Sequence, residues 1–193
     1  MKSNQTKKAL AEALKQLLTR KPINKITIND ITEQCGISRM TFYYHFKDIY
    51  DLAEWTLEEA TQQIIGENRY ADNWQQGFLD LLKEVKDNQK LYMNVYRSMD
   101  REAIERYLLK KVEPLLMPVV EKEAAGMGIS PEGKRVVAIF YTYAFIGVVL
   151  DWISKGMPLT PQQVVTLTAA VVQGDFRNSL QNLKNLDISR FNA

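Results

Sequence analysis

Apolar residues recur three and four positions apart through most of the chain, and an alternation with a period of two persists nowhere. That spacing puts the apolar side chains on one face of an α-helix, so it predicts an all-α protein. Leu10, Ala13, Leu14, Leu17 and Leu18 set the pattern for a helix over residues 5–19, and Pro22 follows its end. Thr27 to Asp30 has the form of a capping box, with Asp in the place of the usual Glu. The helix it opens buries Ile28, Ile31 and Cys35 and ends at Gly36, since glycine accepts the left-handed conformation of a helix exit. Ser38 can cap a second short helix, Arg39–Phe46, with Phe42 and Phe46 on its inner face and Ile37 at the turn.

The same spacing continues through the rest of the chain. A helix over 48–67 carries Leu52, Trp55 and Ile64. Helices over 74–86, 89–97 and 101–125 follow, and Pro114 and Pro118 should kink or tighten the last of these. Ser130-Pro131 and Thr160-Pro161 are caps followed by a first-turn proline, opening helices over 131–155 and 161–183. About nine helices result. Residues 1–47 form a three-helix head and residues 48–193 a helical body. The apolar run Val136–Ile153 has the length of a membrane span, but Tyr141, Thr142, Tyr143, Gly147 and Asp151 interrupt it, so it reads as a buried interface helix with no membrane role.

Composition changes this picture little and charge changes it more. Of 193 residues, 46% are hydrophobic and 25% charged, as in a folded soluble protein. The net charge is +2, yet residues 1–50 carry nine basic and four acidic side chains, a balance of +5 against −3 for the remainder. A basic head on a slightly acidic body suits a polyanion as partner of the head. One cysteine, Cys35, and one histidine, His45, make neither a disulfide nor a Cys/His metal site, so no metal or cofactor is expected. The N-terminus has no apolar core or cleavage site of a secretory signal, and a cytoplasmic location follows.

The chemistry concentrates in residues 27–47. Two short helices joined by Cys35-Gly36-Ile37 have the spacing of a helix-turn-helix, whose second helix must protrude from apolar inner faces. Arg39, Met40, Tyr43 and Tyr44 point outward from that second helix. Arg39 can donate two bonds to a guanine edge and Met40 can touch a thymine methyl. Tyrosine hydroxyls, Thr41, His45 and Lys47 suit phosphate oxygens. The bland alternative is a structural helical hairpin.

The stretch TINDITEQCGISRMTFYYHFKDIYDL resembles the DNA-binding region of the tetracycline-repressor (TetR) family of bacterial regulators. Thr27, Gly36, Ser38, Thr41, Phe42, Tyr43, His45 and Phe46 match its motif in order and spacing. The resemblance covers residues 5–60 and implies a dimer on a palindromic double-stranded operator. It implies phosphate contacts from Thr27, Tyr43, His45 and Lys47 and base contacts from Arg39, Met40 and Thr41. Asn29 is a possible contributor, Ser38 belongs to the recognition segment, and Tyr44 suits either role. Two residues depart from the family pattern: Cys35 stands for an alanine, as a small packing residue or a redox switch, and Ile49 stands for a phosphate-binding lysine. FYYHFKDIYDL also resembles a subgroup in which some members regulate dihydroxyacetone kinase operons.

In the body, the resemblance implies that the last two long helices form the dimer interface, here through Phe140, Ala144, Gly147, Val148, Val165, Ala169 and Val172. Tyr92, Tyr96, Arg97, Tyr107, Tyr141 and Tyr143 are candidates to line an effector pocket, or else fill a core. Three functions compete. The first is a dimeric regulator, most simply a repressor, controlled by a small molecule or protein. The second is an activator or co-regulator working through a protein partner with no small-molecule pocket. The third, an enzyme, finds no phosphate loop, nucleophile elbow or spare histidine, so no catalytic residue is assigned.

Overall fold

A computed structural model describes residues 2–65, 73–98 and 100–184, with side chains for all of these but 2, 60–65 and 103. Ten α-helices run in the order α1 (Lys2–Leu18), α2 (Ile28–Cys35), α3 (Arg39–His45), α4 (Ile49–Ile65), α5 (Trp74–Asp87), α6 (Gln89–Ser98), α7 (Arg101–Glu123), α8 (Pro131–Ser154), α9 (Pro161–Val172) and α10 (Asp175–Lys184). A single 3-10 turn, Ile23–Lys25, follows α1, and there is no strand among the described residues. The Glu67 end expected for the fourth helix, the side chain of Ile64 and the tail after Lys184 lie outside the described residues.

The helix starts follow one chemistry. The Ser130 hydroxyl accepts from the Gly133 amide ahead of α8, and Thr160 and Gln163 form a full capping box ahead of α9. Pro131 and Pro161 each occupy a first turn, where the missing N–H costs nothing. Pro114 and Pro118 both lie inside one continuous α7. The helix expected over 161–183 is two, because Gly174 takes φ +80° and ends α9.

The described residues fall into two compact units. The first holds α1–α4 and α6. Leu10, Leu14, Ile31, Phe42 and Leu52 are fully buried in its core, and each contributes about 1.5–3 kcal/mol of burial. The α6 residues Leu91 and Val95 join this core, with Tyr92 packed against it. The Asn94 side-chain amide donates to the Leu18 carbonyl at the end of α1. So α4 and α6, assigned to the body when the sequence was divided at residue 47, pack here with the helix-turn-helix.

The second unit holds α5 and α7–α10. Phe145 of α8 receives two aromatic edges, from Phe78 at 5.0 Å and Trp74 at 5.1 Å. Tyr141 packs on Phe176 of α10 at 4.1 Å between ring centroids. The turn from α8 to α9 is pinned twice: the Trp152 indole donates to the Leu159 carbonyl and the Lys86 ammonium to the Met157 carbonyl. By length and composition α8 could cross a membrane, but 56% of its most apolar window is buried, as in the core helix of a folded protein.

An added Cβ at Gly174 would meet nothing closer than Asn178 at 4.0 Å, so only its backbone conformation demands glycine. Gly174→Ala should therefore lower the unfolding free energy in urea by about 1–2 kcal/mol; an unchanged midpoint would show that α9 ends there for another reason.

Candidate nucleic-acid interface

The helix-turn-helix is built from its caps inward. Thr27 caps α2: its hydroxyl accepts from the Asp30 amide at 3.1 Å, while the Asp30 carboxylate accepts from the Thr27 amide at 2.7 Å. The same carboxylate oxygen accepts from the Thr27 hydroxyl and from the Lys21 ammonium, each at 2.8 Å. The Lys21 bond first, then the two Thr27 donors, hold the Asp30 carboxyl down from 3.8 to about 2. Gly36 takes φ +68° and ends α2, and Ser38 caps α3 by accepting from the Thr41 amide at 3.1 Å. Lys47 closes the motif: its backbone amide donates to Asp51 in the first turn of α4.

Behind α3 the packing is aromatic. Phe42 is fully buried and Phe46 nearly so, with ring centroids 6.0 Å apart. Trp55 of α4 backs Phe46 at 5.8 Å, and the Lys7 ammonium lies over both rings at 5.6 and 5.7 Å. Ile49 packs against this core. The Cys35 thiol donates to the Ile31 carbonyl, and burial pushes its pKa up. Thiolate chemistry is thereby disfavoured, and the residue serves packing.

With this anchor inside, the other side of α3 faces solvent. Met40 is 83% exposed, Tyr44 82% and Tyr43 53%. Arg39, Lys47, Ser38, Thr27 and Asn29 are exposed too, whereas Thr41 and His45 are half-buried. The Thr41 hydroxyl bonds that of Ser38 at 2.9 Å. Tyr43 packs edge-on against Phe42, and the His45 ring lies 4.9 Å from that of Tyr44. All ten residues expected at a DNA surface therefore come from one continuous stretch of the first unit, the turn and helices α2 and α3.

The body residues scatter more. Tyr92, Tyr96 and Arg97 lie on α6 in the first unit, while Tyr107, Tyr141 and Tyr143 lie in the second. Tyr141 is buried, with its hydroxyl on Ser179, Tyr107 lies beneath the Lys111 ammonium, and Tyr143 faces outward. The second unit does contain a groove of about 670 Å³, but none of the six lines it. Trp74, Glu123, Gln162, Thr166, Phe176 and Arg177 are among its walls. No local sequence pattern points to it, because its walls come from four helices, α5, α7, α9 and α10.

Phe140, Ala144, Gly147 and Val148 are all exposed on α8. On α9, Val165 and Val172 face the unit's own core and Ala169 is half-buried. One residue in α9 turns about 100° from the next, so the apolar side chains it does expose are Leu167, Ala170 and Val171.

Two family models and several known proteins match the chain. The family model described as "Bacterial regulatory proteins, tetR family" matches residues 9–54, and one described as "Transcriptional regulator C-terminal region" matches residues 72–174. The Lactococcus lactis HTH-type dhaKLM operon transcriptional activator DhaS is 27% identical over 176 residues, covering 89% of this chain and 93% of that protein. Among solved structures, a dihydroxyacetone kinase operon activator DhaS superposes with a TM-score of 0.73 at 22% identity, over 90% of this chain and 97% of that one. A TetR transcriptional regulator from Streptococcus agalactiae superposes with a TM-score of 0.64 at 20% identity, over 89% and 95%. At these identities the superpositions speak for the fold.

Because its carboxyl pKa is depressed, Asp30 stabilises the motif above pH 3.8, and that contribution is lost as pH falls through about 2. An NMR titration of the Asp30 carboxyl should show a midpoint near 2, moving toward 3.8 in Lys21→Met; a wild-type midpoint at the ordinary value would contradict the three-donor arrangement. Thr27→Ala should cost about 1 kcal/mol of unfolding free energy through the lost cap.

Proposed function

We propose that this chain, which belongs to the TetR family of bacterial regulators and is a DNA-binding transcriptional regulator, works in the cytoplasm as a homodimer on a palindromic operator. The observation that carries this reading is the exposed face of α3, basic and aromatic, above a fully buried Phe42. Arg39, Met40 and Thr41 meet base edges in the major groove. Thr27, Tyr43, His45 and Lys47 hold phosphates, and Asn29 and Ser38 stand beside them. The balance of +5 over residues 1–50 supplies the sequence-independent attraction.

The dimer forms through α8 and α9. Phe140, Ala144, Gly147 and Val148 on α8, and Leu167 and Val171 on α9, are exposed apolar residues of the kind a soluble protein covers. Gly147 has no neighbour within 4 Å of the position a Cβ would take, so a helix of the second copy can approach closely there. Two α3 helices about 34–36 Å apart then reach successive major grooves. An effector changes that separation and releases the operator, so the primary output is repression.

A second reading is activation through a protein partner. It is favoured by the Lactococcus lactis relative, an activator by its name. A promoter-reporter strain separates the two: deleting the gene raises transcription under repression and lowers it under activation. Thermal shift against metabolites adds a check, since a true ligand stabilises by mass action.

Fluorescence anisotropy with selected palindromes tests the DNA reading. Lys47→Ala and Tyr43→Ala should weaken all sequences alike, while Arg39→Ala should cost about 1–3 kcal/mol of discrimination at one base position. Affinity for the palindrome no better than for random DNA would end this reading. For the dimer, Phe140→Glu should yield a monomer in sedimentation with its helix content retained, and a wild-type chain monomeric at every concentration would sink the interface.

A further inference from the structure

Phe42 fixes the rotation of α3 about its axis, because it is fully buried. Successive helical residues turn by about 100°, so Met40 and Tyr44 both lie about 200° from Phe42, directly opposite the anchor. Their exposures, 83% and 82%, are the highest among the large hydrophobic side chains of the described residues. Arg39 and Tyr43 lie to one side of this ridge. Thr41 and His45, both half-buried, lie to the other. A protruding helix enters a groove along its ridge, so whatever stands at the crest meets the groove floor.

The crest is apolar. Methionine has no donor and only a weakly accepting sulfur, and the Tyr44 ring presents carbon along most of its length. The His45 ring against it, 4.9 Å away, packs the tyrosine on the half-buried side. On the floor of the major groove the four bases offer donors and acceptors, and only thymine offers a methyl group, at C5. We infer that Met40 and Tyr44 together form a thymine-reading ridge and that each operator half-site places thymine methyls against both. Tyr44 is thereby a base-reading residue, while Tyr43, lower on the flank and packed on Phe42, keeps the phosphate role. The pair spans four residues, about 6 Å along the helix, or roughly two base-pair steps at 3.4 Å each. The two thymines of a half-site therefore lie about two steps apart.

This inference rests on the DNA-binding reading above, and the test separates the two. The full-length protein selects duplexes from a random pool, and one selected duplex is resynthesised with deoxyuridine in place of each thymidine in turn. Uracil pairs like thymine and lacks only the methyl. Removing a contacted methyl should weaken binding about fourfold, which is the transfer free energy of one buried carbon expressed as an equilibrium constant. Sensitive positions should number two per half-site. In Met40→Ala one of them should become insensitive and in Tyr44→Ala the other, whereas Met40→Leu should keep the sensitivity. Both side chains are exposed, so these variants fold, and circular dichroism verifies it. Enrichment of a duplex that tolerates uracil everywhere would overturn the ridge and leave DNA binding standing. Sensitivity that persists unchanged in both alanine variants would overturn it as well. Failure to enrich any duplex would overturn the DNA-binding reading and the inference together.

Discussion

The burial of Phe42 and Phe46 is the constraint from which the function of the head follows. Phe42 lies within a helix of seven residues and Phe46 caps its end four residues later, with the two rings 6.0 Å apart. A helix so short has no stability of its own, so its orientation comes entirely from what it buries. Ile31 of α2, Trp55 of α4 and the overlying Lys7 of α1 close around that side. The opposite side is consequently forced outward, and with Arg39 it carries a methionine and two tyrosines that a monomer would otherwise have reason to hide. Exposure here is a result of anchoring.

Polar groups fix the register of that anchor. A single Asp30 oxygen collects three donors, so one carboxylate caps α2, holds the Thr27 hydroxyl and ties down Lys21 near the end of α1. Ser38 repeats the device for α3 with its hydroxyl on the Thr41 amide. These bonds contribute little individually in solvent, but those to the Thr27 and Thr41 amides satisfy donors at a helix start that the helix itself cannot pair. They define where α2 and α3 begin, and therefore which residues reach the ridge of α3. The placement of α6 with this unit, through Leu91, Val95 and the Asn94 bond to the end of α1, adds a sequence-distant buttress to the same core.

In the second unit the corresponding constraint is a helix with two apolar sides. One side of α8 buries Val137, Tyr141, Phe145 and Val149 against α5, α7 and α10. The other shows Val136, Phe140, Tyr143 and Val148 to solvent. A helix apolar all round belongs in an interior, and the two-fold pairing proposed for α8 and α9 would supply the missing half of that interior.

The chain's local chemistry determined much by itself. Helix periodicity gave the all-α class, and the caps at Thr27, Ser38, Ser130 and Thr160 marked the starts, because capping is settled within four residues of sequence. The spacing from Thr27 to Lys47 told the buried side of α3 from its exposed side, since Phe42 and Phe46 define an inside and the helical wheel defines the rest. What sequence could not decide was which helices share a core. Tyr92 packs with the head and Tyr141 spends its hydroxyl on Ser179, so aromatic residues that looked alike as pocket candidates have unrelated surroundings. Val165 and Val172 point inward while Leu167 and Val171 point out, although all four are aliphatic positions of the same helix. Periodicity shows that a helix has an apolar face; when apolar residues surround the axis, only its packing neighbours select which of them is buried.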